Sequence, residues 1–220
     1  MNNALSNNIK KLLASLNKED SLRLEEYLLS AKSSTKTVWI TQEAKNQLTI
    51  KKLSLPYCSE KEGIYSFDLT SALCAYPLTL IETIPELLLD YCSAPGGKAI
   101  WASLLLKPRL LIANEVVKKR IPQLIYNLKK ASLPNVVVTS LSKQKLSAVS
   151  ADIVLADVPC SGQSLFIEKK VPQSSFHPSV INTSANRQRK ILSLLAQQVV
   201  EQGYILYSTC TFSLKENEKN

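Results

Sequence analysis

Glycine is scarce in this 220-residue chain, with five in all, and histidine occurs once. The five cysteines include no Cys-x-x-Cys pair. With so few clustered ligands a zinc site is not expected, and no metal is assigned. An odd cysteine number without framework spacing argues against a disulfide scaffold. It fits thiols kept in a reducing compartment, so a cytoplasmic location is expected. No apolar run approaches the roughly 20 residues that span a bilayer. The opening stretch, MNNALSNNIKK, has neither an apolar signal core nor a small-residue cleavage site, so no secretory signal is read. The G-x-G-x-x-G dinucleotide fingerprint is missing, and so are internal repeats and low-complexity tracts.

What is present is a globular composition with a basic surplus. Apolar residues make up 45% of the chain, enough for a full core. The net charge is +9 and the pI about 9.3. Such a surplus points to a polyanion, nucleic acid before an anionic membrane surface; the plainer alternative is a solvated basic face.

The first 31 residues carry Leu5, Ile9, Leu12, Leu13 and Leu16, then Leu22, Leu24, Tyr27 and Leu28, at helical steps. They predict two helices. SSTK reads as a linker and TVWI as a short strand. Residues 1–66 form a small N-terminal helical and mixed appendage in this reading, and 67–220 the main domain. From residue 86 the rhythm is strand, turn, helix. ELLLDY, RLLIANE, NVVVTS, ADIVLADV and GYILYSTC are strand candidates. AIWASLLL, VVKKRIPQLIYNLKKA and ANRQRKILSLLAQQVVEQ are helices, the last preceded by a polar excursion to about residue 184. Continuous apolar strands alternating with helices predict an α/β fold, a mostly parallel sheet with helices on both faces. Ligands of such sheets sit at the carboxyl ends of the strands, where the polar motifs fall.

The first motif is CSAPGGK, Cys92–Lys98. Adjacent Gly96 and Gly97 permit a sharp turn and close approach of a ligand to the start of a helix. An ordinary strand-to-helix turn is the competing reading. Glu115 ends the next strand; an acid there accepts hydrogen bonds from ribose hydroxyls, or serves a helix dipole. Asp157 and Cys160 follow the fourth strand and Cys210 ends the fifth. A single cysteine is usually a small buried hydrophobe. Two in polar turns at equivalent strand ends point to thiol chemistry, provided the strands are neighbours.

DYCSAPGGK, NEVVKKR, DVPCSG and GYILYSTCTFSLKENE, in this order and spacing, resemble the motif series of the RsmB/NOP/Sun family of RNA cytosine-5 methyltransferases. FHPSVINTSANRQRKIL resembles its bacterial branch. The resemblance spans residues 67–218. It implies a class I methyltransferase (Rossmann-like) sheet, S-adenosyl-L-methionine as cofactor, and ribosomal or transfer RNA as partner. The chain is expected to be a monomer. It assigns the attacking thiolate to Cys210, release of methylated RNA to Cys160, and a hydrogen bond to the pyrimidine edge to Asp157, which also borders the cofactor. The cofactor residues it implies are Cys92, Ser93, Ala94, Pro95, Gly96, Gly97 and Lys98 at the methionine end, Glu115 at the ribose, and Arg120 ordering that loop. Where the family often has an acid near the adenine, this sequence offers Ser140 and Ser142. Lys169, Lys170, Arg187, Arg189 and Lys190 are candidates for RNA phosphates, or a solvated helix face. His177 lies on the excursion, with a cleft or a local structural role open to it.

In the family the chain continues past SLKENEKN with a helix and a strand pair, so an incomplete C-terminal end and an uncovered sheet edge are expected. Two further readings stay open: a non-catalytic RNA-binding relative, and a methyltransferase with a non-RNA substrate. The intact Cys160 and Cys210 speak against the first of these and the expected missing C-terminal end for it; Cys210 and the basic balance speak against the second.

Overall fold

The structure, a computed structural model, describes residues 7–14, 18–29, 37–40, 65–68, 71, 74–146, 148–166 and 170–220. Lys169, Cys58 and the SSTK linker lie outside the described residues. Contacts divide the chain into two compact units. One comprises Thr35–Asp157 and Ser193–Ser208; the other comprises Met1–Ser34, Val158–Leu192 and Thr209–Asn220.

The first unit contains a short antiparallel pair, β1 (Thr37–Ile40) and β2 (Tyr65–Asp68), and a five-stranded sheet. The sheet strands are β3 (Leu87–Asp90), β4 (Leu110–Asn114), β5 (Val136–Thr139), β6 (Ala151–Asp157) and β7 (Val199–Ser208). All four pairings are parallel, in the order β5-β4-β3-β6-β7. Strand order reverses at β3, so the β3 and β6 carboxyl ends flank the place where such sheets bind ligands. Leu88, Leu89, Ile153, Val154 and Leu155 are all at most 1% exposed. Central strands buried on both faces need such unbroken apolar runs.

Helix α3 (Gly97–Leu106) packs on β3, β4 and β6 and buries Ala99, Ile100, Trp101 and Ala102. It ends at Lys107 in the left-handed region (φ 50°), whose N–H returns to the Ser103 carbonyl. Helix α4 (Ile121–Lys130) follows a single 3-10 turn at Lys118–Arg120, and Pro122 in its first turn needs no N–H partner. Helix α5 (Lys143–Leu146) is one turn.

The second unit holds helices α1 (Asn7–Ala14) and α2 (Lys18–Leu29). Ile9, Leu13 and Leu24 form a core with Phe176, and Phe166 and Phe212 pack against it. Phe166 and Phe176 meet edge to face at 5.6 Å.

The last helix differs from its expected place. Helix α6 spans Pro178–Leu195 rather than 185–202, and β7 begins at Val199 rather than 203. His177 starts the helix: its Nδ1 accepts the Ser179 N–H at 3.2 Å, and its carbonyl accepts the Val180 and Ile181 amides. At the other end Gln198, fully buried, donates its amide to the Leu146 carbonyl. Val199 then pairs with Ala151, so two β-branched residues that read as helix extend the strand. The register jumps between Ala151 and Ile153. In the bulge Gln202 takes a φ of 64°, and a Cβ on Gly203 would fall 2.6 Å from the Asp152 carbonyl oxygen. Only glycine fits there.

Candidate active site

The loop after β3 is held by a lattice of side-chain bonds within the first unit. Asn114, fully buried, cross-links three strand ends. Its Nδ2 donates to the Tyr91 carbonyl (3.3 Å), and its Oδ1 accepts the Thr139 hydroxyl (2.9 Å) and the Leu141 N–H (2.8 Å). The Ser93 N–H donates to the Asn114 carbonyl. Asn127 donates to the Pro95 carbonyl at 2.7 Å, and the Arg120 guanidinium donates to the Ala94 carbonyl. Gly96 takes a φ of 108°, and a Cβ there would sit 3.1 Å from Leu124 Cδ1. The turn thus requires glycine both for its dihedral and for its closeness to α4. Glu115 is 2% exposed; its Oε1 accepts the Val117 N–H at 2.8 Å and its Oε2 lies 3.2 Å from Arg120 Nη1.

Charge is concentrated beneath this loop. Lys98 Nζ lies 2.8 Å from Asp157 Oδ2, and the Ser208 hydroxyl donates to Asp157 Oδ1 at 2.9 Å. Burial works against the Lys98 charge, but the Asp157 carboxylate together with Cys74 and Asp90 outweighs it and the net shift is upward. Asp90 is 1% exposed, and neither carboxyl oxygen completes a hydrogen bond. Desolvation pushes its pKa up to about 7; Asp157 adds to the rise, and the Ser93 side chain and Lys98 offset part of it. The same burial, with Asp90, Glu115 and Asp157 around it, pushes the Cys92 thiol up to about 12. Cys92 therefore stays protonated and is no nucleophile at neutral pH.

The other two cysteines lie together in the second unit. Strands β6 and β7 end side by side, Asp157 opposite Ser208, three residues before Cys160 and two before Cys210. The two Sγ atoms are 3.0 Å apart, and the Cys210 N–H donates to Cys160 Sγ at 3.2 Å. Cys210 is exposed and Cys160 half-buried. The Cys210 thiol lowers the Cys160 pKa, desolvation opposes this, and the Cys210 and Gly162 amides add to the lowering. Cys160 is thus the more readily ionised of the pair, its thiolate favoured by the donors around it. The Cys210 carbonyl is fixed by the Ser164 N–H and hydroxyl, both at 3.1 Å.

Residues 78–220 match the family model described as 16S rRNA methyltransferase RsmB/F. The chain belongs to this family. Among relatives, this RsmB/F chain is 33% identical over 162 residues to ribosomal RNA small subunit methyltransferase F of Shewanella amazonensis, covering 71% of this chain and 35% of that protein. It is 29% identical over 182 residues to the tRNA (cytosine(72)-C(5))-methyltransferase of Pyrococcus horikoshii, covering 79% of this chain and 46% of that one. The chain therefore spans a third to a half of the length of these curated relatives. NSun6 from Pyrococcus horikoshii, solved with SFG, superposes with a TM-score of 0.62 at 27% identity, over 75% of this chain and 44% of that one. A methyltransferase homologue from Pyrococcus horikoshii gives a TM-score of 0.72 at 19% identity, over 98% and 81% of the two chains. That likeness agrees with the class I methyltransferase fold expected from the motifs.

In the RsmB/F chain the sequence-assigned residues fall into three groups. Cys92–Lys98, Glu115, Arg120 and Asp157 gather at the ends of β3, β4 and β6. Cys160 and Cys210 meet thiol to thiol. The remaining described ones are surface residues. Ser142 is exposed, and its carbonyl accepts the Lys145 and Leu146 amides at α5. Arg187, Arg189 and Lys190 are exposed on α6, with Arg189 reaching Asn186 Oδ1 at 3.3 Å, and Lys170 is exposed before it. Sequence reasoning missed Asp90, Asn114, Gln188, Glu216 and Asn217. The signal for Asp90 and Asn114 was a polar residue closing an apolar strand. Among the described residues, no group of three or more His, Cys, Asp or Glu is placed to hold a metal, and no helix is long and apolar enough to cross a membrane.

Proposed function

We propose that this chain transfers a methyl group from S-adenosylmethionine to carbon 5 of a cytosine in ribosomal or transfer RNA, with a cysteine joined covalently to the base during the reaction. The observation that carries this is the 3.0 Å approach of two thiols, one exposed and one with a lowered pKa. Carbon 5 of cytosine is a weak nucleophile. Cys210, once it has lost its proton to solvent, adds as thiolate to carbon 6, which makes the ring enamine-like and enriches carbon 5 in electrons. Once carbon 5 is methylated, its proton leaves, the thiolate is expelled, and Cys160 assists this release. Asp157 holds the pyrimidine edge and so favours the adduct. The base must leave its stack to reach these groups.

The residues present fit the cofactor. Asp90 and the Ser93 hydroxyl are buried polar groups without completed hydrogen bonds, at the end of β3 where a Cβ on Gly96 would crowd the turn. Such orphaned groups suit a ligand with polar ends. When bound, the cofactor supplies an electrophilic methyl group on a sulfonium. Cys92–Lys98 would hold its methionine end. Glu115 would take its ribose hydroxyls on the lone pairs that Val117 and Arg120 leave unused. Arg120 orders the loop, and Ser142 is the candidate beside the adenine. Lys170, Arg187, Arg189 and Lys190 would meet RNA phosphates, which position a substrate without reading it.

A denaturing gel tests the thiol roles. With substrate RNA and cofactor, Cys160→Ala should accumulate a slow-migrating protein–RNA adduct, because attack proceeds and release stalls. Cys210→Ala and the double variant should show none. The lowered pKa of Cys160 favours the second reading, in which Cys160 attacks; an adduct only in Cys210→Ala would establish it. Wild type that methylates no RNA would sink the proposal for this chain.

A further inference from the structure

Both cysteine turns are tied to one buried carboxyl that the chemistry above does not use. Glu216 is fully buried. Its Oε2 accepts the Ser161 N–H (2.9 Å) and the Gln188 amide (3.0 Å). Its Oε1 accepts the Ser161 hydroxyl (2.6 Å) and the Thr211 hydroxyl (3.2 Å). Ser161 and Thr211 are the residues directly after Cys160 and Cys210, and their hydroxyls also meet at 2.8 Å. Gln188, fully buried on α6, bonds the Pro159 carbonyl at 3.1 Å, directly before Cys160. Asn217 completes the frame around Cys210: its Oδ1 accepts the Thr209 hydroxyl at 2.6 Å, and its Nδ2 donates to the Thr211 carbonyl at 3.1 Å. Each cysteine is therefore gripped at the residue before it and the residue after it, and Glu216 joins the two grips.

We propose that Glu216 is a positioning residue whose carboxyl sets the separation and aim of the Cys160 and Cys210 thiols. Burying a carboxyl is unfavourable unless its lone pairs are filled, and here four donors fill them. A satisfied buried network of this kind rigidifies what it touches. The groups it touches are the flanks of the two reactive residues. The inference rests on the proposed thiol chemistry for its purpose, and on the hydrogen bonds for its substance. Gln in place of Glu216 keeps an acceptor for the Ser161 N–H and the Gln188 amide, and donates to the two hydroxyls, which can reverse. Ala keeps none of these.

The test uses the full chain and no RNA. Oxidised glutathione takes two electrons and two protons from the thiol pair, leaving as two reduced glutathiones, and peptide mass spectrometry follows the Cys160–Cys210 disulfide. Glu216→Ala should slow its formation by about tenfold or more, as expected for thiols displaced by an ångström or so. Glu216→Gln should stay within about threefold of wild type. The pH profile of Cys160 alkylation should move downward in Glu216→Gln, because the carboxylate charge that opposes the thiolate is gone. Thr211→Val, which removes one bridge and leaves the rest, should slow the disulfide severalfold and serves if Glu216→Ala does not fold. Wild-type disulfide rates in both Glu216→Ala and Thr211→Val would overturn the proposal, as would Gln behaving like Ala. A chain inactive on RNA but with this pattern intact would refute the proposed function and leave the positioning role standing.

Discussion

Asp90 offers the sharpest quantitative test of the charge beneath the loop. Burial holds its carboxyl at about 7 against an ordinary value of 3.8. The folded chain thus keeps a proton that the unfolded chain has released, throughout the window between those values. Stability must fall as pH rises through the window and level off above it. A difference of about three pH units corresponds to roughly 4 kcal/mol, an upper figure because water entry and relaxation would reduce it. Asp90→Asn removes the titration and keeps the shape. Its urea-unfolding free energy, less that of wild type, should be small or negative near pH 4. It should climb between about pH 4 and 7 and reach a plateau a few kcal/mol in the variant's favour near pH 8. Subtracting the two proteins cancels the titrating groups that do not interact with Asp90, leaving its own titration and that of its neighbours Asp157, Lys98 and Cys92. A difference that stays level across the window, or one favouring wild type at pH 8, would refute the account of a desolvated, protonated carboxyl.

Three further outcomes follow from the same geometry. Glu115→Ala should weaken calorimetric binding of S-adenosylmethionine or its demethylated product by about 10- to 100-fold, for the loss of charge-assisted hydrogen bonds; equal heats for both proteins would exclude Glu115 as a ribose ligand. Gly96→Ala should destabilise by about 1–3 kcal/mol, since a side chain at φ 108° is strained and meets Leu124; an unchanged melting temperature would contradict this. RNA affinity should fall by orders of magnitude between about 50 and 200 mM salt if the +9 chain neutralises phosphates; a flat response would exclude that footprint.

The strands β3 to β6 were legible because continuous apolar runs bounded by turn residues leave few alternatives. The boundary between α6 and β7 was not. QQVVEQ has helical polarity, and only the pairing of Val199 with Ala151 and the seat of Gln198 on Leu146 make it strand. The meeting of Cys160 and Cys210 depended on β6 and β7 being neighbours, which spacing suggests but does not dictate. The desolvation of Asp90 and the four donors on Glu216 were invisible in sequence, because burial is a property of the packed chain. ENE closes the last motif, yet nothing in its letters says which acid turns inward.

The core made by Ile9, Leu13, Leu24 and Phe176 has a consequence for how the chain is made. The α1–α2 pair leaves the ribosome well before the aromatic ring that closes its core, which comes about 150 positions later, roughly 8 to 30 seconds at about 5–20 residues per second. Throughout that interval Ile9, Leu13 and Leu24 have one another but lack the Phe176 ring that completes their core. The nascent chain must carry an unfinished apolar stripe while the entire sheet from β3 to β6 is being synthesised. Slowing translation just before Phe176 would lengthen the period of vulnerability without altering a single residue of the finished protein.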